Sequence, residues 1–387
     1  MPANVWTLFF AQALAMCAAP LMVFSGALAS REIVESSIWA TLPVAALVIG
    51  TACSVYPASY FSKILGRKTV FMTGMLIGCC ASLLAMLSLQ EQSFFGFVLS
   101  STLMGVVVAV GQQFRFAAME SVSPDIMPKA AARLMVAGLI SAWVGPELVP
   151  IGQSLLNDTF SGAFLLLAGL FILSFIIIAS GFQNPAEIKI SAELMPLHTS
   201  KLLQRQGFWI ASASAAVGFG VMSFIMTATP ISMHDMDHFS LTDTKWVIQS
   251  HITAMFLPSL FSGYLIQRLG HATMIVTGLM MLGICIIVGL IDRSFMHYWW
   301  ALLILGVAWN FLFIAGTSLL PSTYNPDEKH QAQGLNDVLV FTTQASGALL
   351  SGVVLHWLGW NGLLLVTIPV ILALLASVVY WRKQQST

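Results

Sequence analysis

Charge is what this sequence has least of: only 8% of its 387 residues are Asp, Glu, Lys or Arg, while 58% are apolar. A soluble domain carries roughly 25% charged residues, so water is excluded as the main solvent. The 16 cations and 16 anions cancel, which argues against nucleic acid or a strongly acidic partner as the main ligand. Cysteine is scarce too. Cys17, Cys53, Cys79, Cys80 and Cys285 all fall inside apolar runs, where they act as small hydrophobes and lack the spacing of a disulfide framework. No Gly-rich phosphate loop, nucleophile elbow or zinc-protease signature is present, so neither an ATP-driven pump nor an enzyme is indicated and no cofactor or metal is expected. The run His234-Asp-Met-Asp-His238 resembles a metal cluster only superficially and reads as a solvated loop. The start, MPANVWTLFF, lacks the positive residues and cleavage site of a signal peptide, so its apolar stretch is expected to persist as a first span.

What is present is length without charge. Stretches of about 20 apolar residues, enough to cross a bilayer, fall near 5–28, 38–60, 69–89, 95–118, 131–155 and 160–182, and again near 207–228, 246–267, 272–291, 299–320, 335–355 and 362–381. The expected fold is an all-α membrane protein of twelve transmembrane helices in two pseudo-symmetric six-helix bundles, 1–182 and 207–387. The polar stretch 183–206 between them, with its charges and prolines, is expected to be a cytoplasmic linker.

Basic residues test the count. With twelve spans and both termini inside, Lys63, Arg67, Lys68, Lys129, Arg133, Lys189, Lys201, Arg205, Arg268, Lys329, Arg382 and Lys383 face the cytoplasm. Arg31, Lys245 and Arg293 face out, and Arg115 lies within a span. That asymmetry follows the positive-inside rule, and an odd number of spans would scramble it.

The halves also repeat. SYFSKILGRKTVFMTG (Ser59 to Gly74) aligns with GYLIQRLGHATMIVTG (Gly263 to Gly278), pairing Tyr60 with Tyr264, Gly66 with Gly270 and Gly74 with Gly278. QFRFAA (Gln113 to Ala118) aligns with NFLFIA (Asn310 to Ala315). Parallel six-helix repeats suit a carrier whose two bundles rock about a site between them.

These loops resemble the signature of the major facilitator superfamily between its second and third helices, approximately Gly-x-Leu-Ala-Asp-Arg-x-Gly-Arg-Lys. The later copy, Gly263-Tyr-Leu265-Ile-Gln267-Arg268-Leu-Gly270, follows it with Gln267 for the acid; the first keeps Gly66-Arg67-Lys68 but has Ser59 for the opening Gly and Lys63 in the acid's place. Gly145-Pro146 within GLISAWVGPELVPIG resembles the fifth-helix feature of the family's antiporters. The family's fourth-helix Arg is missing, its place held by Ser101. The resemblance implies alternating access and assigns gating to Gly66, Gly270, Arg268, Gly145 and Pro146.

Ionisable groups inside spans point to function, because a charge at mid-bilayer costs about 2.5 to 3.5 kcal/mol even on lenient scales. Glu147 and His251 are expected roughly 12 and 8 Å below the outer boundary, on helices that pack together across the interface between halves in the family that the sequence resembles. They are the candidates for a pair that a proton breaks and remakes; backbone or interhelical hydrogen bonding is the alternative. Arg115 and Asp337, each roughly 5 to 8 Å inside the opposite boundary, are the candidates for a gate latch. For Arg115 an anionic substrate group or snorkelling to headgroups stand beside it. Gln113, Asn310, Gln12 and Trp309 offer hydrogen bonds and an aromatic wall to a substrate.

The expectation is therefore a secondary transporter of a small organic solute, working as a monomer in the inner membrane with protons as the coupling partner, antiport and export being slightly favoured. The alternative is an uptake carrier or uniporter for an anionic metabolite, vitamin or siderophore.

Overall fold

Lipid offers no hydrogen bonds, so a spanning segment must pair its own backbone, and long apolar runs become helices. The computed structural model describes residues 2–34, 36–123, 126–156, 158–184, 202–325 and 328–385, and no strand occurs among them. Most of the expected linker, with Lys189 and Lys201, lies outside the described residues. The chain divides into two units, Met1–Ile188 and Lys189–Thr387.

The first unit holds α1 (Ala3–Ile33), α2 (Leu42–Leu65), α3 (Arg67–Gln90), α4 (Phe94–Glu120), α5 (Met127–Gln153) and α6 (Ser161–Gly181). The second holds α7 (Gln206–Met236), α8 in two pieces (Leu241–Phe256 and Ser259–Leu269), α9 (His271–Ile291) and α10 (Phe295–Leu319). A continuous stretch follows in which non-helical Gly359, at φ 64°, separates α11 (329–358) from α12 (360–385). Ten stretches are long and apolar enough to cross a membrane. Dividing the last at Gly359 and adding the broken α8 gives the expected twelve among the described residues.

Three features depart from smooth helices. The first helix of each unit contains a π-helical segment, Met22–Gly26 in α1 and Ile231–Met236 in α7, a form frequent at functional sites. The break in α8 falls at Leu257–Pro258, where proline supplies no N–H to the preceding turn. Finally, His234–Met236 belong to the π segment, and Asp237 pairs with Arg293 at 2.9 Å while accepting from the Tyr298 hydroxyl at 2.8 Å. The solvated loop expected at 234–238 is thus largely structured. Burial works against the Arg293 charge, but Tyr298 and Asp237 outweigh it and raise that guanidinium's pKa above its ordinary value.

Small residues let backbones touch, the main source of helix association in lipid. A Cβ on Gly50 would stand 2.1 Å from the Thr102 carbonyl oxygen, and one on Gly105 would stand 2.4 Å from that of Leu47. The backbones of α2 and α4 therefore meet at this crossing. Both signature loops turn through glycine in the left-handed region, Gly66 at φ 80° and Gly270 at φ 81°, with ψ of 150° and 159°. The sequence repeat is a repeat of backbone shape.

Candidate functional site

In the first unit, Gly145 is where α5 presses on α1: a Cβ there would lie 2.7 Å from the Cys17 carbonyl oxygen. That carbonyl sits beside the Met16–Cys17 turn that interrupts α1. Pro146 follows within α5, and Glu147 beyond it is half-buried. Gln12 donates through Nε2 to the Leu134 carbonyl of α5 at 3.0 Å, while its Oε1 is buried without a partner. Gln113 is buried on α4, and Arg115 is exposed with its guanidinium 4.8 Å from the centroid of the Phe116 ring. Ser101, at the place of the missing arginine, is buried and donates to the Phe97 carbonyl of its own helix at 2.8 Å.

The signature loop of this unit is held by residues that sequence comparison passed over. Arg67 makes two hydrogen bonds to Glu120 at the end of α4, at 2.7 and 2.5 Å. Asn184 accepts from the Lys68 amide at 2.8 Å, and the Lys68 ammonium donates to the Ala179 carbonyl at 2.7 Å. Lys63 in the acid's place therefore does not leave the loop unbraced. Asn4 and Gln183 close the same end by reciprocal bonds of 2.8 and 3.0 Å. An Asn just past a span and a Glu at a helix end were the available signals.

In the second unit Arg268 lies 4.6 Å from the centroid of the Tyr264 ring, and Asp337 is exposed on α11. His251 is fully buried on α8. Its Nδ1 lies 2.6 Å from the Leu302 carbonyl oxygen of α10. A carbonyl only accepts, so Nδ1 carries the hydrogen, and Nε2 is buried with no partner. Asn310 is turned toward the broken α8. Its amide nitrogen donates to the Met255 carbonyl at 2.7 Å and to Ser259 Oγ at 2.6 Å, and its oxygen accepts from Ser262 Oγ at 2.6 Å. Both amide hydrogens thus clasp the break, which makes Asn310 a positioning residue for α8 in this structure.

Trp309, the preceding residue, is 4% exposed and stands in an aromatic nest. Phe313 stacks on it at 5.1 Å and 14°, Phe219 meets it edge-on at 4.9 Å and 84°, and Phe256, at the end of the first α8 piece, does so at 6.1 Å and 71°. Phe219 was not foreseen. It lies between Gly218 and Gly220, where added Cβ atoms would come within 3.0 Å of Leu312 on α10 and 3.4 Å of Thr343 on α11. Two glycines draw α7 close to both neighbours and set the ring between them. A Gly-Phe-Gly triplet inside a span was the signal.

Comparison with known proteins agrees with this architecture. The family model described as Major Facilitator Superfamily matches residues 4–244 and 209–387. The chain is 32% identical over 390 residues to the riboflavin transporter RfnT of Brucella anthropi, covering 98% of this chain and 96% of that one. It is 28% identical to the methylenomycin A resistance protein of Bacillus subtilis over 169 residues, 42% of this chain and 36% of the relative. Among solved structures, the fold is similar to the inward-facing, occupied form of a bacterial homolog of the human lysosomal transporter Spinster, with a TM-score of 0.77, 12% identity and coverage of 99% and 96%. Twelve helices in two like units, the paired signature loops and these matches show that the chain is a multi-pass membrane transporter belonging to the major facilitator superfamily.

Proposed function

We propose that this chain carries riboflavin, or a solute with a similarly flat conjugated ring, by alternating access. The carrying observation is likeness to a riboflavin transporter over almost the whole of both chains; the aromatic nest around Trp309, far from either end of α10, supplies chemistry suited to such a ring. Riboflavin falls within the vitamin alternative and requires no anion-binding role for Arg115. The charge count supports a bacterial cytoplasmic membrane with both termini inside, and a single chain is the working unit.

Coupling to protons is assigned to Glu147 and His251. Each sits in a span, the histidine with one ring nitrogen buried and unpartnered, where gaining a proton changes the local energy most. Gating is assigned to Arg115, Asp337, Arg268 and the loops at Gly66 and Gly270. In a riboflavin-auxotrophic bacterium with no carrier of its own, expression should restore growth on micromolar riboflavin. Growth that remains absent despite verified membrane expression would refute uptake of this vitamin. Glu147→Gln should abolish acceleration by an imposed pH gradient while preserving exchange at equilibrium, and unchanged acceleration would remove Glu147 from coupling.

A second reading is proton-driven export of a drug-like solute, favoured by Gly145-Pro146 in α5 and by the partial likeness to a resistance protein. It predicts that expressing cells accumulate less riboflavin than controls.

A further inference from the structure

Indole N–H groups buried in a protein nearly always find an acceptor. Here Trp360, as enclosed as Trp309, donates to the Gly289 carbonyl at 3.1 Å, and Trp299 donates to Ser250 Oγ at 2.9 Å. Trp309 Nε1 is buried and donates to nothing. It lies about 21 Å along α10 from one end and about 15 Å from the other by helical rise, the depth at which an unmet donor is least compensated by water. Asn310 beside it offers no relief, because its amide is engaged with Met255, Ser259 and Ser262. Three rings stand against the indole, Phe219, Phe256 and Phe313, all half-buried.

We propose that this nest is the subsite for the ring system of the substrate in the second unit: a planar heteroaromatic stacks against Phe313 and meets edge-on Phe219, which stands at 89° to Phe313, and one of its ring carbonyls or ring nitrogens accepts from Trp309 Nε1–H. A purely hydrocarbon ring would leave the donor unmet, so the unpartnered N–H selects for a heteroaromatic with an acceptor on its edge. Admitting it requires the half-buried phenyl rings to change rotamer, a motion that is fast where side chains are partly exposed. Asn310 acts through position: by clasping Met255 and Ser259 it fixes the break of α8 and with it Phe256, the remaining wall.

This inference rests on the riboflavin-class reading and adds which atoms recognise the ring. It is tested on the purified full chain by flavin fluorescence quenching, with riboflavin and with lumichrome, the bare tricycle without the ribityl chain. The wild type should bind both. Trp309→Phe, which keeps an aromatic ring but lacks the N–H, should weaken both about tenfold, the worth of one buried hydrogen bond. Phe313→Leu should weaken both roughly 3- to 10-fold through lost stacking, and Trp357→Phe at an exposed position should change nothing. Wild-type affinity in both Trp309→Phe and Phe313→Leu, with riboflavin still bound, overturns the subsite and leaves the substrate reading standing. If the wild type binds neither probe, the substrate reading fails and the subsite fails with it. Should Trp309→Phe elute as aggregate, Phe313→Leu decides.

Discussion

Replacing Asn310 with alanine breaks the clasp on α8, and the structure sets the size of the effect. The side chain is wholly buried and makes three hydrogen bonds, to the Met255 carbonyl, Ser259 Oγ and from Ser262 Oγ. Ser262 Oγ also lies 2.7 Å from the Pro258 carbonyl oxygen, to which its single hydrogen can turn, so the hydroxyl keeps an acceptor after the change. The losses that matter are the two donors. Bonds of this kind between membrane helices average about 0.6 kcal/mol with a maximum near 1.7, whereas a group left unsatisfied in a buried site costs about 1 to 3 kcal/mol. The Met255 carbonyl lies where α8 is interrupted, and truncation leaves a small cavity as well. Asn310→Ala should therefore lower stability by about 2 to 4 kcal/mol in equilibrium unfolding from mixed micelles. Asn310→Asp keeps the shape but replaces the donors with acceptors and should be at least as damaging. The Asn310→Ala and Ser262→Ala pair in a double-mutant cycle should show coupling of at least 0.5 kcal/mol. A loss below about 0.5 kcal/mol in Asn310→Ala, with no coupling to Ser262, would refute the clasp.

Two further substitutions probe packing inside each unit. Gly50→Ala would put a methyl group 2.1 Å from the Thr102 carbonyl oxygen, a backbone clash that costs about 3 kcal/mol or more by overpacking; thermal unfolding of the purified variant should fall well below wild type, and an unchanged transition would mean that α2 and α4 are not in backbone contact. Arg205 forms a two-point ion pair with Glu328 at 2.6 and 3.2 Å, and Glu328 is 8% exposed. Arg205→Met removes this two-point partner from a buried carboxylate and should cost roughly 3 kcal/mol, recovered in large part by Arg205→Met combined with Glu328→Gln; equal stability of the single and double variants would refute the pairing.

The number of helices and the two signature turns were legible because they are written in hydropathy and in glycine, which act over a whole span or at a single backbone angle. Gly66 and Gly270, picked out by the internal repeat and by likeness to the family signature, adopt nearly the same left-handed conformation. Interruptions were harder to see. Pro258 breaks α8 while Pro146 and Pro150 sit inside a continuous α5, since a freed carbonyl is tolerated wherever neighbours satisfy it. The direction in which a side chain points was not legible at all. A span that is apolar all round has no moment to mark its inner face, so Asn310 and Trp309, adjacent in sequence and both expected to meet a substrate, differ in outcome: one amide is engaged with α8, the other residue's N–H is unmet. The braces on the first signature loop were missed for a related reason. Glu120 and Asn184 are 53 and 116 residues from the groups they bind, and no local spacing carries that contact.

The central claim is carriage of a flat heteroaromatic solute, and counterflow tests it without any assumption about coupling. Purified protein in liposomes loaded with excess unlabelled riboflavin should drive transient accumulation of labelled riboflavin from outside, blocked by external lumichrome and strongly diminished in Trp309→Ala. Liposomes that show no counterflow of riboflavin, though the same protein is folded and inserted, would contradict the account.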